Sequence, residues 1–402
     1  MIDIDIYNTL VCTCLVLLFG RVLVNRISLF QQFTLPAPVV GGILVAVILL
    51  FVKLYLNIQI NFNGDMTSPL MLMFFASIGL NANVRQLMLG GRMIVLFLIV
   101  VIGLLFLQNI LGIGLATLLG EDPLLGLLVG SITLSGGHGT GAAWGEIFAN
   151  QYHYASALEV AMACATLSLI LGGLIGGPIA RFLVERRQPS TESDPLASAD
   201  NLTAFEEPKV RRAISAYAVI ETIAMLSICL SLGNYIAGFL KGSIFELPSF
   251  VCVLFVGVVL NNVIAFIPGY NLFERAVSVV GNVCLSLFLT IALMSLKLWE
   301  LTNLALPMVV ILTVQTVVMA LYAIFVTYRV MGRDYNAAVL VAGHCGFGLG
   351  ATPTAIANMQ AVTDRYGPAP VAFIVVPMVG AFFIDLVNAV VIKGFLWLPI
   401  FN

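Results

Sequence analysis

Gly346-Phe347-Gly348-Leu349-Gly350-Ala351-Thr352-Pro353 lies inside an apolar stretch, and Ser135-Gly136-Gly137-His138-Gly139-Thr140-Gly141 lies about half a chain earlier. Glycines at this density cannot sustain a continuous helix, because each costs roughly 1 kcal/mol against Ala and together they free backbone N–H and C=O groups. In hydrocarbon those groups need partners, so broken backbone persists only inside protein or beside a polar cavity. Two such breaks in corresponding places of two halves point to the binding site of a secondary transporter.

The composition agrees. The chain is 60% hydrophobic and 9% charged, with a mean hydropathy of +1.07, whereas soluble domains carry about 25% charged residues. A polytopic all-α membrane protein in contact with the lipid bilayer follows. The net charge of -2 offers no basic surface for nucleic acid. Asp3 and Asp5 stand where a secretory leader would carry bases, so no cleaved leader is expected. The seven cysteines fall in apolar stretches without zinc-ligand spacing and read as buried thiols.

Apolar runs long enough to span fall into two sets of six: 6-25, 36-56, 69-84, 92-119, 123-144 and 155-184, then 214-240, 247-268, 277-296, 304-331, 335-360 and 369-398. Residues 185-212 are charged and rich in Ser and Pro, a solvated linker. An offset of 212 positions superposes the punctuation of the halves: Phe33 on Phe245, Leu35-Pro36 on Leu247-Pro248, Gly120 on Gly332, Asp122 on Asp334, Gly136 on Gly348 and Thr140 on Thr352. The reading is therefore a first repeat over 1-184 and a second over 213-402.

Basic residues then test orientation. Let the broken segments, 123-150 and 335-365, enter the membrane and return to the same side. Each half crosses five times, so the second is inverted relative to the first. With the linker in the cytoplasm, all of the 18 Lys and Arg except Lys53, Lys241, Lys297 and Lys393 lie inside, and both termini lie outside. Six full crossings per half segregate the charges less well.

At the second break, Thr352 suits a helix N-cap and Pro353 the first helical position. A half-helix starting there would turn free N–H groups and a positive dipole end toward the glycines, a place for a carboxylate. Thr140 occupies the matching cap in the first half. Close helix packing is the plain alternative for the glycines, as for Gly172-x-x-x-Gly176 and Gly173-x-x-x-Gly177. No Lys-Ser/Thr follows either run, which excludes a P-loop, and neither run opens a βα unit. Asp385 lies in the last span with Asn388 one turn on; a carboxylate at bilayer depth costs at least about 2.5 kcal/mol, which favours a role toward a cation. His138 and His344 read as hydrogen-bonded structural imidazoles, and Glu159 and Glu221 stand equally as interface residues or ligands. No nucleophile-base pair or metal set points to an enzyme.

Ser135 through Trp144 and Gly343 through Met359 closely resemble the corresponding stretches of the bacterial glutamate:sodium symporter family. Phe74 to Asn83 and Val375 to Asp385 resemble it as well, and the likeness weakens only in the linker. The resemblance implies an inner-membrane carrier bringing L-glutamate inward with Na⁺ as coupling ion and no other cofactor. It implies two inverted five-span repeats, each with one re-entrant hairpin, whose loops meet at the translocation site; alternating access of an elevator kind, one unit holding both loops moving against a scaffold of the other spans, is the expected mechanism. By carry-over the substrate region comprises Ser135, Gly136, Gly137, His138, Gly139, Thr140, Gly141, Gly346, Gly348, Gly350, Thr352 and Thr354. Carbonyls of Gly137, Gly139, Gly346 and Gly348, with Asp385 and Asn388, are the expected Na⁺ ligands. The scaffold spans are the candidate surface for a homodimer. A carrier of another organic anion, a proton-coupled carrier and an anion channel are the competing readings.

Overall fold

A computed structural model describes residues 2–32, 35–82, 91–187, 214–241, 247–264, 272–301 and 304–401. The linker from 188 to 212, the bases Arg85, Lys209, Arg211 and Arg212, and the paired Phe33 and Phe245 lie outside the described residues.

The first half runs β1 (Ile2–Ile4), α1 (Ile6–Arg26), α2 (Ser28–Gln32), α3 (Ala37–Leu56), β2 (Ile60–Phe62), α4 (Thr67–Asn81) and α5 (Gly91–Leu118). It continues through α6 (Pro123–Leu127), which passes into a π turn (Leu128–Ile132), then α7 (Gly137–Gln151) and α8 (Ala157–Arg187). The second half runs α9 (Ala216–Leu240), α10 (Ser249–Ile264), α11 (Glu274–Met294) and α12 (Ala305–Tyr322, extended by a π turn to Thr327). After it come α13 (Tyr335–Gly348), α14 (Thr352–Tyr366), α15 (Pro370–Met378), a π turn (Val379–Phe383) and α16 (Ile384–Leu396). Among the described residues seven helices are long and apolar enough to cross a bilayer, and three shorter apolar ones accompany them. The chain is a multi-pass, nearly all-helical membrane protein.

Two features depart from an all-α reading. β1 and β2 pair in parallel with Ile2 opposite Ile60 and Ile4 opposite Phe62, and Asn61 Nδ2 donates to Asp3 Oδ1 at 2.8 Å. These apolar-polar-apolar triplets suit a strand but are too short to show a period. The helix ends also lie a few residues from the expected ones; α8 reaches Arg187 rather than 184.

The shared punctuation of the halves has a local cause. Gly120 (φ +77°) and Gly332 (φ +111°) take the left-handed conformation that glycine adopts without strain. Two residues on, Asp122 accepts from Leu124 N at 2.8 Å and Asp334 from Ala337 N at 2.6 Å, capping α6 and α13. Pro36 and Pro248 immediately precede α3 and α10.

The helices sort into two bundles. α1, α3 and α4 pack with α9, α10 and α11; α5 to α8 pack with α12 to α16. Packing exchanges between the halves: α3 lies on α11 as α10 lies on α4, and α1 meets α11 as α9 meets α4. The contacts are backbone-close. A Cβ on Gly42 would lie 2.5 Å from Leu293 Cβ, and one on Gly79 would lie 2.2 Å from the Leu254 carbonyl; Gly42 and Leu254 are partners under the offset of 212. Aromatic and glycine surfaces join the bundles, with Gly139 against Phe74, and Trp144 edge-on to Phe250 at 5.7 Å.

α8, 31 residues and about 46 Å long, marks the two ends of the molecule. Near its start Glu159 accepts from Lys297 N at 3.3 Å, and near its finish Glu185 accepts from Tyr366 Oη at 2.7 Å.

A Cβ at Gly79 has nowhere to go, whereas Gly177 has nothing within 4 Å. Gly79→Ala is expected to lower the stability of detergent-purified protein by about 1–3 kcal/mol. Gly177→Ala should hold it level or raise it, helix propensity favouring Ala by up to about 1 kcal/mol. Equal thermal midpoints for the two variants would contradict this packing.

Candidate functional site: the crossing of two broken helices

Both glycine runs interrupt their helices. In the second, α13 ends at Gly348 and α14 starts at Thr352. The two arms lie side by side and antiparallel: a Cβ on Gly346 would meet Ala355 Cα at 2.4 Å, Gly343 faces Met359, and Tyr335 Oη donates to the Gly367 carbonyl. Both ends of this element therefore sit where α8 finishes. In the first, Gly130 leaves helical geometry (φ -97°, ψ -142°) within the π turn, and Gly137 has φ +62° at the start of α7. Burial first, then the carboxylates of Asp122 and Glu121, push the Tyr154 phenol up to about 12. The Phe148 carbonyl accepts from Tyr154 N at 2.9 Å, closing the turn that follows α7.

Their tips meet. A Cβ on Gly137 would lie 3.1 Å from the Gly350 carbonyl oxygen. Gln108 on α5 ties the breaks together: its Nε2 donates to the Gly348 carbonyl at 2.8 Å, and its Oε1 accepts from Ser135 Oγ at 2.8 Å. Ser135 Oγ is itself 3.3 Å from the Gly348 oxygen. Gln315 on α12 donates to the Gln108 carbonyl at 2.7 Å. Next to Gln108, Asn109 Oδ1 accepts from the Ser131 N–H at 2.9 Å, partnering a donor at the Gly130 kink. This is the physical requirement that hydrocarbon imposes on interrupted backbone, met by side-chain amides.

The last helix closes the site. Asn388 accepts from Ser131 Oγ at 2.6 Å and donates to the Ser131 carbonyl at 2.9 Å. One turn earlier, half-buried Asp385 accepts from Thr140 Oγ1 at 3.3 Å. Pro377 and the π turn after it interrupt α15, and the Gly380 carbonyl accepts from Thr352 Oγ1 at 2.9 Å. Ser135, His138, Thr140 and Thr354 are only 1–7% exposed, so the crossing is closed to solvent in this conformation.

The sequence-selected residues thus come together, with three adjustments. Neither threonine caps a helix. Ala351 is the N-cap of α14 and Thr352 its first residue, while Gly136 precedes α7 and Thr140 lies one turn inside it; the Thr140 hydroxyl reaches Asp385 on α16 and that of Thr352 the Gly380 carbonyl in the π turn before it. Gly346 lets α13 pack against α14, and Gly172 and Gly176 bring α8 onto α13 and α14, whereas Gly177 faces open space. Of the cysteines, Cys14 is exposed and Cys12 partly so, the other five being buried. His138 pairs with Thr166 at 3.0 Å and His344 with Thr327 at 2.9 Å, as structural imidazoles do. Among the described residues no three His, Cys, Asp or Glu gather into a metal cluster.

Sequence reading passed over Gln108, Asn109, Ser131, Gln315 and Asn358. Side-chain amides within apolar runs were the available signal, since each needs a partner at depth; Asn358 Nδ2 donates to the Gly172 carbonyl at 2.9 Å.

Comparison with known proteins agrees with this arrangement. Residues 2–368 match the model of a family described as sodium/glutamate symporter. The chain belongs to the sodium/glutamate symporter family. It is 60% identical over all 402 residues, and over the full length of both chains, to the sodium/glutamate symporter of Escherichia coli K12. It is 51% identical over 387 residues, 96% of each chain, to that of Haemophilus influenzae. The symporter family is one of transporters, not enzymes.

Gln108→Leu removes the clasp and leaves buried Gly348 and Ser135 groups without it, at about 1–3 kcal/mol each. Hydrogen–deuterium exchange is expected to quicken across 133–141 and 343–354 in this variant. Protection equal to that of the unaltered chain would show that Gln108 does not hold the breaks.

Proposed function

We propose that the chain is a secondary carrier coupling inward movement of L-glutamate to the sodium gradient across the bacterial inner membrane. The observation that carries this reading is the meeting of two helix breaks under one amide clasp. The sodium/glutamate symporters to which the chain is similar along its length supply the substrate and the ion.

Residues 1–184 and 213–402 form two inverted repeats of five spans each, with re-entrant segments at 123–150 and 335–365. The linker at 185–212 is cytoplasmic and both termini are outside. The exchanged packing of α3 on α11 and α10 on α4 supports this, as does the grouping of charges. Lys53 and Lys297 line one cavity, and Lys241 and Lys393 another. Arg181 and Arg365 gather on Glu185 at 2.8 and 3.9 Å. These are the groupings that the proposed sidedness requires.

The opening N–H groups of α7 and α14 carry the positive ends of their helix dipoles and receive the glutamate carboxylates. Sodium is held by carbonyls of Gly137, Gly139, Gly346 and Gly348 with Asp385 and Asn388. In the closed state the Gly348 carbonyl accepts from Gln108, and Asn388 is paired with Ser131. Ion entry therefore exchanges protein hydrogen bonds for metal–oxygen contacts. A cation beside Asp385 also offsets charge that would repel a dicarboxylate. Glutamate affinity then rises with sodium, and sodium affinity rises with glutamate by the same factor. Transport moves the bundle of α5–α8 and α12–α16 against the bundle of α1, α3, α4 and α9–α11. The outer face of the latter, rich in exposed apolar side chains on α1, α3 and α9, is the surface for a homodimer contact.

Radiolabelled glutamate should accumulate in proteoliposomes driven by a sodium gradient alone, and Asp385→Asn should weaken or abolish the sodium dependence. Uptake driven equally by a pH gradient without sodium would overturn the coupling ion. Sodium-driven uptake unaltered in the Asp385 variant would remove that carboxylate from the site.

A further inference from the structure

A groove of about 550 Å³ runs between α1, α3 and α11, within the size range of ligand pockets. Its walls include Leu18 and Val283, 60% and 53% exposed on membrane-spanning helices, so it opens toward lipid. Its floor is fixed. A Cβ on Gly20 would lie 2.3 Å from the Ala37 carbonyl oxygen, and one on Gly41 would lie 2.4 Å from that of Val16. α1 and α3 therefore touch backbone to backbone beside the groove.

Three polar side chains stand among the apolar ones: Arg21, Asn282 and Ser286. At helical rise Arg21 lies about 7 Å from the end of α1, and Asn282 about 12 Å from the start of α11. Both are exposed. The Ser286 hydroxyl donates to the Asn282 carbonyl at 2.8 Å. Among the described residues neither the Arg21 guanidinium nor the Asn282 amide has a partner, and no carboxylate lines the groove. An unpaired guanidinium among lipid tails is costly, and its long stem relieves that cost by reaching toward headgroup depth. A wider groove between α9 and α10, about 630 Å³, makes the contrast. It is lined by aliphatic side chains with Phe255 and Cys252, and so has no charge with which to select one lipid over another.

We propose that the groove between α1, α3 and α11 binds an anionic glycerophospholipid of the bilayer, its phosphate on Arg21 and Asn282 and one acyl chain along Leu18, Val283 and Leu287. Basic pockets between membrane helices suit anionic headgroups. The planar guanidinium gives a phosphate a forked pair of charge-assisted bonds, and the amide N–H adds a third donor. The turn of α11 that carries Ser286 to the groove also carries Leu285, which with Phe74 flanks Gly139 of the first break. The lipid thus braces α11 from behind, opposite the face that meets the crossing.

Delipidated full-length protein in neutral detergent, given phosphatidylglycerol or phosphatidylethanolamine, is read by native mass spectrometry and by its thermal midpoint. Phosphatidylglycerol should be retained about fivefold more strongly than phosphatidylethanolamine, the gain one basic side chain brings toward an anionic lipid, and should raise the midpoint. Arg21→Gln should erase this preference, and Arg21→Lys should keep part of it. Val283→Trp, which fills the groove and leaves its charge, should lower phosphatidylglycerol retention. sn-Glycerol 3-phosphate, which lacks acyl chains, should leave the midpoint unmoved; an equal rise with it overturns the lipid as occupant. Equal retention of the two lipids by the unaltered chain, as a guanidinium loose in the headgroup layer would give, overturns the site. So does a preference that survives both Arg21→Gln and Val283→Trp. A dimer broken by Val283→Trp with lipid retention unchanged gives this face to a second copy and also overturns it.

Discussion

Interrupted main chain in an apolar interior governs this structure. A glycine run releases carbonyl and amide groups where water cannot serve them, and each then needs a protein partner. Gln108 provides one such bond, to the Gly348 carbonyl, while its oxygen holds the Ser135 hydroxyl, and Asn109 provides another, to the Ser131 N–H. Both sit on α5, so a single helix holds the two breaks in register. The partners are neutral amides rather than charges, which at this depth satisfies the backbone without the insertion cost of an ion. It also leaves bonds weak enough to be exchanged, since a neutral hydrogen bond contributes only about 0.5–1.5 kcal/mol net.

Everything tied to the breaks belongs to one bundle. α5, α12 and α16 supply the clasp, the carboxylate and the Asn388 pair, and α8 packs beneath both tips. Against the other bundle the described contacts are mostly of another kind, with ring edges on glycine and ring on ring, apart from the Glu159–Lys297 N hydrogen bond at one end. Directional bonds thus concentrate within the unit that carries the site, and the boundary is made largely of shape. Such a division suits a body that moves as a whole while keeping its interior intact.

Much of this was legible in the chain. The breaks, the Gly-x-Asp caps at 120–122 and 332–334, the proline starts at Pro36 and Pro248, and the close packing at Gly172 and Gly176 all rest on local backbone rules that residue identity announces. The family likeness rests on the same glycine-rich stretches. What escaped reading depends on partners far away in sequence. Gln108 bonds a carbonyl 240 positions on and Asn388 a serine 257 positions back, and nothing in an apolar run reveals such a match. The π turns at Leu128–Ile132 and Val379–Phe383 likewise form where neighbouring helices accommodate them. Thr140 and Thr352 look like caps because local rules favour that use, yet tertiary acceptors at Asp385 and Gly380 claim both hydroxyls.

α4 is bounded by Met66 and Ala82 and has 15 residues. At helical rise it measures about 22 Å, against about 30 Å for the hydrocarbon of a typical bilayer. It stands in the bundle that faces the crossing, with Phe74 against Gly139. A rod of that length leaves about 8 Å of hydrocarbon thickness unmatched, a mismatch that the longer helices around it or the lipid must absorb.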